Sequence, residues 1–413
     1  MPAPLPSLVS ATPASRPVGD VRHYMRPGLL QLSALPPLSL YIHIPWCLRK
    51  CPYCDFNSHE SSRGEPLPER EYVDALLADL QACLPMVWGR SVISVFLGGG
   101  TPSLFSPEAI ERLLSGVRAL LPLLPGAEIT LEANPGTFER ERFAAFRAAG
   151  VTRLSVGVQS FNDRHLQAIG RVHSAEQARA ALQEAARAFE TFNLDLMYAL
   201  PGQSLQELAQ DVQTALSFAP PHLSIYHLTV EEGTAFAKRP PALPDEDAAF
   251  DMLDALTAAT AQAGLARYEV SAYARGPMHQ CVHNTNYWQF GDYLGLGAGA
   301  HAKISFAHRI VRQTRHKNPR HYMQQALAGC PVHEERDVAR AELPFEYMLG
   351  ALRLREGFSL GDYCARTGLP PGTVTPALEQ AEEKGWVQRQ GNHIRPTERG
   401  FDFLSDLQQL FLE

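Results

Sequence analysis

Six strand-like runs alternate with helix-like stretches between residues 39 and 230, and this alternation constrains the fold more than any other feature. A chain that alternates in this way forms parallel strands joined by right-handed crossovers. The runs are nearly continuous in apolar residues, as in a sheet that is covered on both faces. They are SLYIHI, VISVFLG, EITLEA, RLSVGVQ, NLDLMYA and HLSIYHL. Because six units are fewer than the eight of a closed barrel, we predict an α/β fold with an open, partial (β/α)6 barrel.

Polar and small residues gather where these runs end. In folds of this kind the reactive groups lie at the carboxyl ends of the strands. The residues at or near those ends are Cys47, Gly99, Glu132, Gln159, Asp195 and Tyr226. We therefore expect one site that brings these six positions together.

The chain outside the repeats divides into three further segments. Residues 1–37 are rich in Pro, Ser and Ala and are predicted to be a flexible tail, and residues 38–235 form the barrel. Residues 236–340 are predicted to extend the barrel, with the stretch HNTNYWQFGDYLGLGAGAHAKI as irregular or short-strand structure. Residues 341–413 are predicted to be a smaller, mainly helical domain. A strand pair in WVQRQGNHIRPT, which turns at Gly391-Asn392, gives this domain the order of a winged helix.

The charge of the C-terminal segment argues against nucleic acid as a partner. Residues 344–413 hold seven Lys and Arg against ten Asp and Glu, and the whole chain has a formal net charge of −7. Winged helices often bind DNA, but DNA-binding domains carry a basic patch. We therefore expect a structural or partner-binding role for this domain and no nucleic acid.

The stretch SLYIHIPWCLRKCPYCDFNSHE contains three of the seven cysteines, Cys47, Cys51 and Cys54. Three thiolates within eight residues suit zinc or an iron–sulfur cluster. A zinc site would need a fourth ligand, such as His43 or His59. A four-iron cubane held by three thiolates leaves one iron open, which can chelate the amino and carboxylate groups of S-adenosylmethionine. The chemistry of that cofactor explains why the set stops at three.

A glycine run on the second strand favours the cluster over zinc. In FLGGGTPS, Gly98, Gly99 and Gly100 stand at the strand end, where they would let the backbone approach a ligand closely. A run of three glycines is a weak signal by itself. Its combination with the CxxxCxxC spacing on the first strand is specific and predicts a radical S-adenosylmethionine site.

The expected compartment follows from what the sequence lacks. The N-terminal stretch has neither the basic start nor the apolar core of a signal peptide. No apolar run approaches the ~20 residues of a membrane span. Seven cysteines in 413 residues do not suggest a disulfide scaffold. We expect a cytoplasmic protein with free thiols.

The motifs together resemble a known family. YIHIPWCLRKCPYCDF, GGGTPSL, EANPGT, SVGVQSFN, LDLMYALPGQ and HNTNYW are similar to stretches of the radical S-adenosylmethionine proteins related to oxygen-independent coproporphyrinogen III oxidase. Within that family the chain most resembles the haem chaperones, from Leu38 to its end. The resemblance implies a partial (β/α)6 barrel with a smaller C-terminal domain.

The resemblance also implies roles for individual residues. Cys47, Cys51 and Cys54 would hold a [4Fe-4S] cluster. Tyr41 would flank the cluster and cofactor, Tyr53 would lie against the adenine, and Arg171 would bind the carboxylate of S-adenosylmethionine. The further cofactor positions that match the family are Gly99, Gly100, Thr101, Glu132, Gln159 and Asp195.

Two functions remain open at the level of sequence. The oxidase carries a further cysteine two residues after the third, and this chain has Phe56 there, which disfavours oxidative decarboxylation of coproporphyrinogen III. In HNTNYW, His283 is the candidate axial ligand of haem, Cys281 a weaker one, and Tyr287 and Trp288 could stack on a porphyrin. The favoured function is a chaperone that delivers haem to a respiratory apoprotein. Its expected partners are haem, that acceptor and an electron donor for the cluster, with membrane contact only through the acceptor.

Overall fold

The computed structural model describes residues 24–61, 66–136 and 142–412. The strands of this part are β1 (Leu38–Ile44), β2 (Trp46–Cys47), β3 (His59–Glu60), β4 (Val92–Gly99), β5 (Leu123–Ala133), β6 (Arg153–Gln159), β7 (Thr191–Tyr198), β8 (His222–His227), β9 (Ala266–Glu269), β10 (Ala272–Ala274), β11 (Asp292–Leu296), β12 (His301–Phe306), β13 (Arg309–Arg315), β14 (Val332–Asp337), β15 (Phe358–Ser359), β16 (Val387–Gln390) and β17 (His393–Pro396).

The α-helices of the described residues alternate with the first eight strands and then dominate the C-terminal segment. They are α1 (Glu69–Cys83), α2 (Pro107–Leu120), α3 (Phe143–Ala148), α4 (Asp163–Ala168), α5 (Ala175–Ala188), α6 (Leu205–Ser217), α7 (Ala235–Lys238), α8 (Glu246–Gln262), α9 (Val282–Trp288), α10 (Pro319–Leu327), α11 (Leu343–Ala351), α12 (Leu360–Thr367), α13 (Thr375–Glu383), α14 (Glu398–Asp402) and α15 (Leu404–Gln409). The sequence TFERERFAAFRAAG, residues 137–150, is predicted to be helical, and its residues 137–141 lie outside the described residues.

The predicted partial barrel is confirmed. The six predicted strands lie side by side in chain order as β1, β4, β5, β6, β7 and β8, and every neighbouring pair is parallel. These strands belong to one 12-stranded sheet that runs from β14 at one edge to β9 at the other. Since β14 and β9 do not pair, the sheet does not close into a barrel.

The segment 236–340 extends the sheet at both edges. β10 joins β8 and β9 joins β10, both antiparallel. At the other edge β11 pairs with β1 in parallel, and β12, β13 and β14 follow in antiparallel order. The sequence analysis expected short strands here but not a seventh parallel strand beside β1.

Local sequence signals fix the ends of the crossover helices. Ser174 and Ser204 begin α5 and α6 with capping boxes, in which the serine side chain and the residue three positions on exchange hydrogen bonds with the backbone. Ser106 accepts a hydrogen bond from Ala109 N–H at the start of α2. These caps set where each helix begins, and therefore where the loop after each strand ends.

The prediction of irregular structure for HNTNYW is wrong, because residues 282–288 form the helix α9. The segment has few strong helix formers, so its helix depends on tertiary contacts. Asn286 supplies several of them. Its side chain donates to Ser39 Oγ at 2.9 Å and to the carbonyl oxygens of Asp292 and Pro37 at 3.1 and 3.4 Å.

The N-terminal segment differs from its prediction where it is described. Residues 1–23 of the predicted flexible tail lie outside the described residues. Tyr24, Leu30 and Leu32 are buried, and the N–H groups of Leu30 and Leu32 donate to the carbonyl oxygens of His308 and Ala307. Apolar burial and backbone hydrogen bonds thus hold this part of the chain against the turn between β12 and β13.

The C-terminal segment has its own core and the predicted order of elements. Antiparallel β16 and β17 form the predicted pair, and β15 adds a third strand beside β17. Leu343, Tyr347 and Met348 of α11 are central to this core. No helix of the described residues is both long and apolar enough to cross a membrane.

Candidate functional site

The three cysteines lie on one loop that folds back on itself after the first strand. β2 pairs with β3 in parallel, with Trp46 opposite His59, so the chain between them forms a closed loop. Within it Cys54 N–H donates to Cys51 O at 3.2 Å. Cys47, Cys51 and Cys54 are half-buried free thiols, and all three line a cavity of about 380 Å³.

Each of these thiols has at least one polar neighbour. Thr101 Oγ1 donates to Cys47 Sγ at 3.6 Å, and Arg171 Nη1 donates to Cys51 Sγ at 3.8 Å. Cys54 Sγ lies 3.7 Å from Ser58 Oγ. Burial raises the pKa of the Cys47 and Cys54 thiols, while the hydrogen bonds with Thr101 and Ser58 lower it. A bound metal would therefore have to supply most of the free energy that holds these sulfurs as thiolates.

The two histidines considered as zinc ligands have other partners. His43 Nε2 bonds with Asn57 O at 3.0 Å and its Nδ1 with Tyr41 OH at 2.9 Å. His59 Nε2 bonds with Asn57 Oδ1 at 3.3 Å. No group of three His, Cys, Asp or Glu among the described residues is placed to hold a single metal ion. Because each thiolate of a cluster binds a different iron, the three thiols fit a multi-iron cluster better than zinc.

Most of the predicted ligand residues meet around this cavity, which also reaches Tyr226. Besides the cysteines, its walls include Tyr53, Gly99, Gly100, Thr101, Glu132, Gln159, Arg171 and Asp195. The strand ends therefore converge as expected from a parallel sheet. Gln159 has a φ of 69°, an unusual conformation for a residue other than glycine. Tyr41 and His283 line a neighbouring cavity instead.

Two carboxylates of this wall, Glu132 and Asp195, are closely coupled. Glu132 accepts a hydrogen bond from Gly99 N–H at 3.1 Å, and Asp195 accepts from Asn193 at 2.7 Å and from Ser155 at 3.2 Å. Burial, together with the charge of Asp195, raises the pKa of Glu132 to about 7. Burial also raises the pKa of Asp195, against its hydrogen bonds. A cationic ligand between the two carboxylates would lower both pKa values again.

Asn134 connects the glycine loop to Arg171 and was not predicted. Its amide donates to Thr101 Oγ1 at 2.7 Å, and its carbonyl oxygen accepts from Arg171 Nη2. Arg171 Nη2 also donates to Gly157 O at 2.6 Å. Since Asn134 follows Glu132 by two residues at the end of β5, its position at a strand end was the signal that could have identified it.

The glycine loop has a different physical basis from the one predicted. Gly99 has a φ of 107°, and a Cβ there would lie 2.2 Å from His43 Cε1. A Cβ at Gly100 would lie 2.6 Å from Pro45 C and Trp46 O. The loop needs glycine because it packs against the chain around residues 43–46. A side chain at 99 would push into His43 first, so a substitution there would not test ligand binding cleanly.

A second cavity of about 780 Å³ continues from the first into the barrel. Gly99, Glu132, Asp195, Phe56 and Tyr226 line both cavities. The second is lined in addition by aromatic and polar residues, among them Tyr41, Phe96, Asn284, Tyr287, Trp288, Tyr293 and His301. Of these, Phe96, Asn284, Tyr293 and His301 were not predicted to bind a ligand.

His283 presents one free ring nitrogen to this second cavity. Its Nδ1 bonds with Ser94 Oγ at 3.2 Å, and its Nε2 has no hydrogen-bond partner among the described residues. The imidazole packs 5.0 Å from the ring of Phe96, and burial lowers the pKa of His283 to about 3. The imidazole is thus neutral at pH 7, which is the form that ligates a metal.

Cys281, the weaker candidate for the axial ligand of haem, already has a hydrogen-bond partner. Its Sγ donates to Glu128 Oε1 at 3.6 Å, and the side chain is buried. Burial and the charge of Glu128 raise the pKa of Cys281 to about 12, so the group remains a thiol. The structure therefore favours His283 over Cys281 as a ligand.

The imidazole and the cysteines lie at different depths of the barrel. His283 contacts Ser94, near the start of β4, whereas the cysteine cavity surrounds Gly99 at the end of the same strand. Five residues separate these positions, which is about 17 Å at ~3.3 Å per residue. The second cavity therefore extends along the strands from His283 to Gly99, where it meets the cysteine cavity.

Comparisons with known proteins agree with this architecture. A sequence model of the Radical SAM superfamily matches residues 41–215, and one of the HemN C-terminal domain matches residues 338–403. The chain is 48% identical to the heme chaperone HemW of Escherichia coli K12 over 380 residues, which cover 92% of this chain and 99% of that protein. The chain belongs to the HemW family. The HemW of Haemophilus influenzae is 44% identical over 92% of this chain and 98% of its own length.

A solved structure shares the whole fold. The coproporphyrinogen III oxidase HemN from Escherichia coli superimposes with a TM-score of 0.77, over 91% of this chain and 90% of that chain. The two sequences are 24% identical. This likeness shows that the HemW-family chain and the oxidase have the same architecture.

Membership of the radical SAM superfamily implies a four-iron cluster and S-adenosylmethionine, and the HemW-family residues described above fit both groups. Cys47, Cys51 and Cys54 are the thiols that would hold the cluster, and the carboxylates of Glu132 and Asp195 suit a cationic cofactor. A cluster held there would supply one electron to the sulfonium of S-adenosylmethionine. Arg171 keeps a positive charge beside Cys51, and Thr101 donates to Cys47, so both stabilise negative charge on the sulfurs.

Proposed function

We propose that this protein binds haem in the second cavity and passes it to a haem-requiring respiratory apoprotein. In this proposal a [4Fe-4S] cluster and S-adenosylmethionine occupy the first cavity and control delivery. The protein would act in the cytoplasm, with an electron donor for the cluster as a further partner and no nucleic acid. The observation that carries the proposal is His283, whose neutral imidazole turns a free Nε2 towards a cavity lined by aromatic rings.

The aromatic lining suits a flat apolar ligand. The rings of Tyr287 and Trp288 lie 4.9 Å apart between centroids and nearly at right angles, and Tyr287 lies equally close to Tyr293. Such rings bury large apolar areas against a planar partner. Tyr287 is also exposed, which gives a ligand access from solvent.

Phe56 argues against the oxidase as an alternative function. It occupies the position of the oxidase's further cysteine, lines both cavities and is 59% exposed. A phenyl ring offers neither a ligand nor a proton at that position. The likeness to HemN extends to the fold and does not carry the decarboxylation over.

The test is an anaerobic haemin titration of three proteins: the wild type, His283→Ala and His301→Ala. His301 is a matched control because it lines the same cavity but is exposed. The wild type should show a Soret shift that saturates near one haem per chain on a one-site model. His283→Ala should change the ligand-field bands, and His301→Ala should leave them as in the wild type.

A parallel assay with coproporphyrinogen III, reductant and S-adenosylmethionine should yield no decarboxylated product. Product at an enzyme-like rate, or a wild type without a saturable Soret shift, would overturn the chaperone proposal. If only His301→Ala altered the ligand-field bands, His301 would be assigned as the axial ligand in place of His283, and the proposal of haem binding would stand.

A further inference from the structure

The guanidinium of Arg153 is buried and makes no hydrogen bond to the part of the chain that the structure describes. Arg153 is the first residue of β6, is 3% exposed and lines the same cavity as His283. Its Nε is buried and has no partner among the described residues. The nearest carboxylate oxygen, Glu128 Oε2, lies 3.9 Å from that Nε, which is beyond hydrogen-bond distance.

A second buried arginine shows what a saturated guanidinium looks like in this protein. Arg315 is fully buried and donates to both oxygens of Asp79, to Gln313 Oε1 at 2.9 Å and to Cys83 Sγ at 3.0 Å. Buried charges are normally paired and hydrogen-bonded in this way, because burial without partners is costly. Arg153 is therefore the exception, and its free donors turn towards a cavity.

The acids around Arg153 are committed to other donors. Glu128 Oε1 accepts from His283 N–H at 3.3 Å and from the Cys281 thiol. Asp195 accepts from Ser155 and Asn193. Through Glu128, Arg153 is held next to the first turn of α9, so the guanidinium and the imidazole of His283 border the same space.

We propose that Arg153 binds a carboxylate of the molecule held in this cavity. On the function proposed above, that carboxylate is a propionate of haem. A guanidinium matches a carboxylate with two parallel hydrogen bonds, which an ammonium does not. Haem would then meet three different groups: Nε2 of His283 at the iron, the rings of α9 at the porphyrin face, and Arg153 at the acidic edge.

The test compares haemin with its dimethyl ester, in which both propionates are esterified. The cluster-containing wild type should bind haemin more tightly than the diester, by about 10- to 100-fold for hydrogen bonds to a charged group. Arg153→Met should lose this preference and bind both porphyrins with the affinity of the diester. Arg153→Lys keeps the charge but cannot form the two parallel hydrogen bonds. Its preference for haemin over the diester should lie between that of the wild type and that of Arg153→Met.

Denaturation separates a binding role from a structural one. Arg153→Met should keep the unfolding midpoint of the wild type, because the guanidinium of Arg153 makes no hydrogen bond to the described residues. Arg315→Met, the matched control, should lower that midpoint clearly. If the unfolding midpoint of Arg153→Met fell as far as that of Arg315→Met, Arg153 would have a structural role and the proposal would be overturned.

The remaining outcomes distinguish the sources of the carboxylate. Loss of S-adenosylmethionine affinity in Arg153→Met with an unchanged haemin-to-diester ratio would assign the carboxylate to that cofactor and overturn the propionate assignment. A wild-type preference retained in Arg153→Met would overturn the role of Arg153 and leave haem binding standing. A wild type that binds neither porphyrin would overturn the proposed function and this inference with it.

Discussion

At the scale of single residues, Glu132 offers the clearest link between charge and ligand binding. With a pKa of about 7, raised by burial and by Asp195, this carboxyl group is partly protonated near neutrality. The permanent positive charge of the sulfonium would lower that pKa, so a proton should leave when S-adenosylmethionine binds. The affinity of the cofactor should therefore rise with pH up to about 7 and rise less above it.

Calorimetry at pH 6, 7 and 8 checks this, with Glu132→Gln as the test variant. The amino group of the ligand also titrates near pH ~8, so the decisive quantity is the difference between the two proteins. Glu231→Gln, at the exposed rim of the same cavity, should behave as the wild type. An identical pH dependence in Glu132→Gln and the wild type would show that Glu132 does not face the cationic part of the cofactor.

The site residues that the sequence predicted and those that it did not differ in their positions along the motifs and strands. The cysteines and the strand-end carboxylates follow directly from a short motif and from the parallel sheet. Arg153 stands at the start of its strand, on the interior face with Ser155 and Gly157. Only a charged residue in the alternating pattern of RLSVGVQ marked it, and that pattern is equally compatible with a surface ion pair.

At the scale of elements, α9 carries two asparagines with different roles. Asn286 anchors the helix to the sheet, and Asn284 faces the second cavity. Asn286 is buried and donates to Ser39 Oγ and to two backbone carbonyls. Asn284 lines the second cavity, and no hydrogen bond of its side chain is found among the described residues. Asn286→Ala should lower the free energy of unfolding by about 2 kcal/mol or more, because it leaves buried acceptors unsatisfied. Asn284→Ala should leave it nearly unchanged.

Urea denaturation of both variants measures this difference. A loss of stability in Asn284→Ala equal to that in Asn286→Ala would contradict the anchoring role.

The same contacts explain why α9 could not be predicted. Two of the anchors, Ser39 and Pro37, lie about 250 positions away in the chain, and a further close contact comes from Gly350, where a Cβ would lie 2.8 Å from Trp288 O. Hydrophobic periodicity does not report such contacts, although it did predict the six strands and most crossover helices.

At the scale of the whole molecule, the sequence predicted the number and order of the central strands but not the continuous sheet they belong to. β11 pairs with β1 across more than half the chain, and β9 and β10 extend the opposite edge. Pairings at such separation leave no local signal. They matter for function because α9, which precedes β11, is thereby placed across the starts of β1 and β4, beside the second cavity.

The different depths of His283 and the cysteines in the barrel predict that iron and haem can be lost separately. Cys54→Ser should lose the cluster, about four irons per chain on the cubane count, yet keep the haemin spectrum of the wild type. His283→Ala should keep its iron and change the haemin spectrum. The reason is that Ser94, which contacts His283, and Gly99, at the cysteine cavity, lie about 17 Å apart along β4, at ~3.3 Å per residue.

Anaerobic reconstitution followed by iron analysis and haemin titration checks both variants, with Cys83→Ser as the control. Cys83 is fully buried in the core, where its thiol donates to Asp79 Oδ1 at 3.5 Å, and a hydroxyl can make the same bond. This variant should keep both iron and haem. If Cys54→Ser lost haem together with iron, the cluster would be needed to capture haem. If the two losses separate as expected, the cluster is not needed to capture haem.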